Sequence, residues 1–69
     1  MIVDFEVTET VEKAENSYIE EVYFDDYAKI SDVITTAKHL IDEIEEVTSV
    51  RFYFDGSFYF IEKDTEKER

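Results

Sequence analysis

Few residues in this chain could carry covalent or acid–base chemistry. His39 is the one histidine and there is no cysteine. A general base needs a partner and a cleft, and His39 stands among polar neighbours with no second histidine and no thiol, so it reads as a surface residue. Ser17, Ser31, Ser49 and Ser57 fall at turns or element ends, where hydroxyls serve the backbone. A single glycine leaves no phosphate-cradling loop. Acidic pairs are the remaining candidates. Asp25-Asp26 and the group Asp42, Glu43, Glu45, Glu46 could gather a hard cation, but their spacing is not that of a calcium loop. Adjacent residues on a strand or helix also point apart. Neither a metal site nor a cofactor is expected, and an enzyme is the class least supported.

The charge itself says more. The chain has 69 residues and a formal net charge of −12, whereas solubility of a small domain asks for a magnitude of only about 2–8. Like charges held on a compact body repel and weaken folding. Residues 1–28 carry nine acids, Asp4, Glu6, Glu9, Glu12, Glu15, Glu20, Glu21, Asp25 and Asp26, against one base, Lys13. Carboxylates two apart on a strand, such as Asp4 and Glu6, stand roughly 6.7 Å apart, the scale of neighbouring phosphates. A solvated acidic face is the ordinary meaning of such a run. Against that meaning stand the excess over solubility, the scarcity of interleaved lysine, and acids placed where a helix dipole opposes them. Direct binding to nucleic acid or to an anionic membrane is excluded on charge, and a basic protein is the natural partner. The contact surface is expected among Asp4, Glu6, Glu9, Glu20, Glu21, Asp25, Asp26, Asp42, Glu43, Glu45 and Glu46.

These residues must be positioned by a small fold. A hydrophobic fraction of 43% with six phenylalanines and five tyrosines argues against disorder. No apolar run approaches the roughly 18 residues of a membrane span, and the start of the chain lacks the basic region of a signal peptide, so a cytoplasmic setting is expected. Ile30, Val33, Ile34, Ala37, Leu40, Ile41, Ile44 and Val47 recur at spacings of three and four, which predicts one amphipathic helix over 30–47 with Ser31 as N-cap. Residues 2–9 alternate, with Val3, Phe5 and Val7 on one face. A turn over 12–17, with Asn16 at positive φ, leads to a second strand over about 18–24. The alternation slips at Glu20-Glu21, which suggests a bulge or an exposed strand end there.

The run from Val50 to Ile61 predicts a second hairpin around Asp55-Gly56. An odd loop of three residues would put Val50, Phe52, Phe54, Phe58 and Phe60 on one face under the helix. Arg51, Tyr53, Tyr59 and Ile61 would then form the opposite face, apolar enough to be the interface of a homodimer. Hairpin, helix, hairpin makes a two-layer α+β domain, ββαββ, with a four-stranded antiparallel sheet and one helix on one face. Residues 1–62 form this single domain, and 63–69 a charged, frayed tail.

With its small size, acidity, lack of cysteine and hairpin–helix–hairpin layout over residues 1–62, the chain resembles the small acidic phage-encoded DNA-mimic inhibitors of host DNA-binding proteins. The nearest resemblance is to phage inhibition of the bacterial nucleoid protein HU. The resemblance carries no diagnostic motif. It implies a protein that occupies the DNA-binding arms of HU and displaces nucleoid DNA, in the cytoplasm of a bacterial host. Two other classes share the same charge: an anti-restriction or anti-CRISPR inhibitor, and an acidic antitoxin or assembly subunit whose basic partner does not bind nucleic acid.

Overall fold

A computed structural model describes residues 1–63. Strands β1 (Ile2–Val11) and β2 (Ala14–Tyr23) form the first hairpin, helix α1 (Ile30–Glu43) follows, and β3 (Val47–Phe54) and β4 (Ser57–Glu62) form the second hairpin. The four strands make one antiparallel sheet in the order β2-β1-β3-β4. The expected α+β architecture is therefore the observed one. The helix lies mainly over β3 and, less closely, β4. Val33, Ala37 and Ile41 of its stripe are buried against Val3, Phe5, Val7, Val47, Val50 and Phe52. β2 is an edge strand that overhangs this core, and only Val22 within it is even half-buried.

Several boundaries differ from the sequence expectation, each for a local reason. The helix ends at Glu43, and Ile44 is already extended (φ −112°, ψ 108°). Val47 belongs to β3. The register between β1 and β3 shifts at Thr8/Glu9, leaving Thr48 out of the ladder register with β1, although its hydroxyl donates to Thr8 O at 3.3 Å. The extra residue lets Val47 and Val50, three apart, both reach the core fully buried. The N-cap is Lys29 rather than Ser31, and the Asp32 carboxylate accepts its backbone N–H at 2.9 Å, closing the first turn where the dipole favours an anion.

The first turn is Glu12-Lys13, both at positive φ (53° and 71°), not a wider loop at Asn16. Asn16 instead lies in β2 opposite Glu9. The β1–β2 register runs unbroken from Ile2↔Tyr23 to Val11↔Ala14, so no bulge occurs at Glu20-Glu21. Glu20 stands opposite Phe5 on the helix side of the sheet and stays exposed because nothing covers β2 there. Glu20-Glu21 is thus neither a bulge nor a strand end, but an exposed stretch within β2.

The second hairpin turns on two residues, Asp55 (φ 54°) and Gly56 (φ 80°), with Phe54 paired to Ser57. Positive φ at both turn positions gives the type I′ twist that matches two-residue hairpins. An even loop exchanges the faces of β4. Tyr59 and Ile61 join the helix side, opposite Phe52 and Val50, while Phe58 and Phe60 go to the open face opposite Tyr53 and Arg51. Phe5 meets Phe52 edge-on at 5.1 Å between centroids, and Phe52 stacks on Tyr59 at 5.2 Å. Beyond β4, Lys63 continues the pairing by donating its N–H to Thr48 O at 2.9 Å. The rest of the expected tail lies outside the described residues.

Candidate functional site: the open sheet face and the acidic edge

Among the described residues no element covers one face of the sheet, although Thr8 and Ser49 on it are buried between their neighbours, and its composition follows from the registers. Across β2, β1, β3 and β4, one row reads Ile19, Glu6, Arg51, Phe60 and the next reads Ser17, Thr8, Ser49, Glu62. Asp4 stands directly opposite Glu21, and Tyr53 opposite Phe58. The β3–β4 half is aromatic, with Tyr53, Phe58 and Phe60 each half exposed or more. Tyr53 and Phe58 pack at 5.2 Å, and a shallow hollow of about 200 Å³ lies between Ile19, Arg51, Tyr53 and Phe58. The β1–β2 half carries the acids, interrupted by exposed Ile2, Ile19 and Tyr23.

The expected dimer face is therefore divided. Arg51 and Tyr53 lie on the open face as anticipated. Tyr59 and Ile61 turn to the helix side, where they are packed against the core. Phe58, Phe60 and Ile19 take their place, and the sequence reading missed all three. The signal that could have found the two phenylalanines is Asp55-Gly56 itself, a preferred two-residue turn pair.

The acids fall into groups that the chain order hides. Asp4 and Glu21 lie at one end of the first hairpin, followed by Asp25 and Asp26. Asp25 accepts the Tyr27 N–H at 3.1 Å, and Asp26 meets the Met1 ammonium at 3.4 Å. At the other end, Thr10 donates its N–H to Glu46 O at 2.9 Å, and Glu9 pairs with Val47. This brings Glu45 and Glu46 beside Glu9 and the neighbouring Glu15, which pairs with Thr10. Glu45 and Glu46 are thus not helix residues but part of the turn into β3, and only Asp42 and Glu43 face the dipole. Glu20 stands apart on the helix side of β2.

Neutralisation is sparse. Glu6 pairs with Arg51 at 3.4 Å, and Glu43 with His39 at 3.7 Å. Apart from these and Asp26, no candidate acid has an ion-pair partner among the described residues. Arg51 Nε is buried with no hydrogen-bond partner among them. Thr8 and Ser17 link their hydroxyls at 3.1 Å across β1 and β2. Tyr18, on the helix side of β2, has its phenol pushed above the usual 10.0, first by partial burial and then by the charge and hydrogen bonding of Glu9, with Glu20 adding to it. Among the described residues no group of three or more His, Asp or Glu is placed to hold a metal ion. No helix among them is long and apolar enough to cross a membrane.

Among the described residues, one sheet face is thus aromatic on its β3–β4 half and acidic on its β1–β2 half. No protein-family model, curated protein or solved structure matches the chain.

Proposed function

We propose that this protein is an acidic decoy for DNA: it binds a basic DNA-binding protein and blocks that protein's DNA-binding surface, with the nucleoid protein HU as first candidate. The observation that carries the reading is the Asp4–Glu21 pair, two exposed carboxylates directly opposite on neighbouring strands. Like charges so placed weaken a sheet, and an isolated fold has no use for them, whereas a basic groove does. The same end of the hairpin continues into Asp25 and Asp26, which lengthens the row. The decoy acts by occupancy and performs no catalysis.

The test is displacement. Titrated into HU bound to labelled duplex, the protein should release the DNA, and release should weaken as salt rises. Replacing Asp4, Glu21, Asp25 and Asp26 by their amides should sharply raise the concentration needed and flatten the salt dependence. A folded quadruple variant that displaces DNA at the parent's concentration overturns the assignment of this surface. A partner that never binds DNA points to the antitoxin or assembly class instead.

The aromatic half of the open face, Tyr53, Phe58 and Phe60, is the surface we assign to self-association. It replaces the face of Arg51, Tyr53, Tyr59 and Ile61 that the register divides. Sedimentation showing a monomer at micromolar concentration and ordinary salt overturns the homodimer.

A further inference from the structure

We propose that the free edge of β2 accepts an extended lysine- and arginine-bearing segment of the partner as a fifth strand of the sheet. The inference rests on the reading that the partner is basic, and it adds how that partner is held. The backbone supplies the first argument. Met1 and Phe24 exchange both of their N–H···O bonds at 2.8 Å. In an antiparallel ladder such exchanging pairs alternate with pairs whose peptide groups point away from each other. The pairs of Val22, Glu20, Tyr18, Asn16 and Ala14 with β1 therefore use their peptide groups inside the sheet. The N–H of Thr10 on β1 turns the opposite way, to Glu46 O, as this alternation requires. The N–H and C=O groups of Glu15, Ser17, Ile19, Glu21 and Tyr23 point outward along a ten-residue strand.

An edge of this length is a template for another strand unless it is blunted by proline, by lysine or by a bulge. β2 has none of these: the chain has no proline, residues 14–23 contain no lysine, and the register with β1 is unbroken. Its only guard is acid, with Glu20 turned to the helix side, and acid does not turn away a basic strand. Charge then selects the occupant. Glu15 and Glu21 stand on the open face and Glu20 on the other, with no base in the strand. A second copy of β2 would bring six glutamates into one ladder, so the edge repels its own kind. A segment with lysine or arginine opposite Glu15, Glu20 and Glu21, and an apolar residue opposite Ile19, is complementary on both faces. Backbone pairing then gives affinity, and the alternate side chains give selectivity.

The test uses the full chain and two short synthetic peptides of that pattern. One is unmodified, and the other is N-methylated at alternate residues so that it keeps its charge but loses the donors facing β2. The unmodified peptide should slow amide exchange at Glu15, Ser17, Ile19, Glu21 and Tyr23 together, and methylation should weaken binding on the order of tenfold or more. Ile19→Pro removes an outward N–H that β1 does not use. It should abolish the added protection, while Ile19→Ala, which keeps the N–H, should retain it. Equal binding of the two peptides, or protection scattered over the other acidic groups, overturns the inference. Should Ile19→Pro unfold the hairpin, the peptide pair on the parent chain decides alone. DNA displacement from HU that persists beside equal peptide binding leaves the decoy reading standing without the fifth strand. Failure to displace DNA, with selective strand addition intact, removes the decoy reading only.

Discussion

Asp4 and Glu21 face each other across β1 and β2 as a pair whose peptide groups point apart, the arrangement that brings side chains closest, with Cα atoms about 4.5 Å apart. Both are exposed, and neither has an ion-pair partner among the described residues. Glu21→Lys turns this repulsion into an attraction. It should stabilise the fold by about 1 kcal/mol, a rise of several degrees in Tm for a domain of this size, while weakening DNA displacement. Thermal melts and the displacement assay on the same variant check both signs. A variant that is more stable and equally inhibitory removes this pair from the contact surface.

Screening should act in the same direction on the whole molecule. With a net charge of −12, the Tm should rise from low salt to ~0.15 M, where the Debye length falls to about 8 Å. Indifference to salt would mean that the carboxylates are too far apart to repel.

The first turn offers a cleaner stabilisation, because it requires left-handed backbone from two residues that resist it. Glu12 and Lys13 sit at φ 53° and 71°, and such a conformation costs an L-residue roughly 1–2 kcal/mol. Replacing the pair by Asn-Gly should recover about 1 kcal/mol or more. Gly56→Ala should show the reverse, since its φ is 80° although a Cβ there would meet nothing within 4 Å. Denaturant midpoints of the two variants should move in opposite directions.

Phe52 is 2% exposed and lies between the rings of Phe5 and Tyr59. Phe52→Ala should cost roughly 3–5 kcal/mol through the cavity it leaves. Its effect on binding should track the unfolded fraction and vanish under conditions that restore the fold.

The raised phenol of Tyr18 has a defined sign. Its folded value lies above the ordinary 10.0, so its contribution to stability is complete below that pH and is lost as pH climbs through the folded value. In an NMR titration the Tyr18 ring should ionise above the ordinary 10.0. Glu9→Gln should bring its titration down towards the usual value. If Tyr18 titrates alike in the parent chain and in the Glu9→Gln variant, the proximity of Glu9 is not felt.

What the sequence revealed of this fold depended on whether one pattern had a competitor. Val3, Phe5 and Val7 alternate with polar residues, and the spacing of Val33, Ala37 and Ile41 fits one helical stripe, so β1 and the core face of α1 were legible. β4 was not, because Phe58-Tyr59-Phe60-Ile61 is apolar on both parities and hydrophobicity cannot choose between them. Val47 imitated a continuing helix because its spacing of three from Ile44 also suits a strand entered through the extended Ile44. The turn at Glu12-Lys13 has no glycine or asparagine to announce it, and ten consecutive cross-strand pairs override the local preference that favoured Asn16. The acids were visible one by one. That Glu46 sits beside Thr10, or that Asp4 faces Glu21, depends on register and could not be read from composition.

The pairing of β1 with β3 sets the order in which the molecule assembles. Both hairpins and the helix are built from neighbours in sequence, and each can form early on local contacts alone. Val7 meets Val50, and Thr8 meets Ser49, only after a loop of some forty residues has closed, with the entropy that closure costs. Docking of the two hairpins along this seam should therefore limit the refolding rate. Truncations at Val7 or Val50 should slow refolding, and so should changes on β2 that weaken the first hairpin, because that hairpin is already paired when the seam closes.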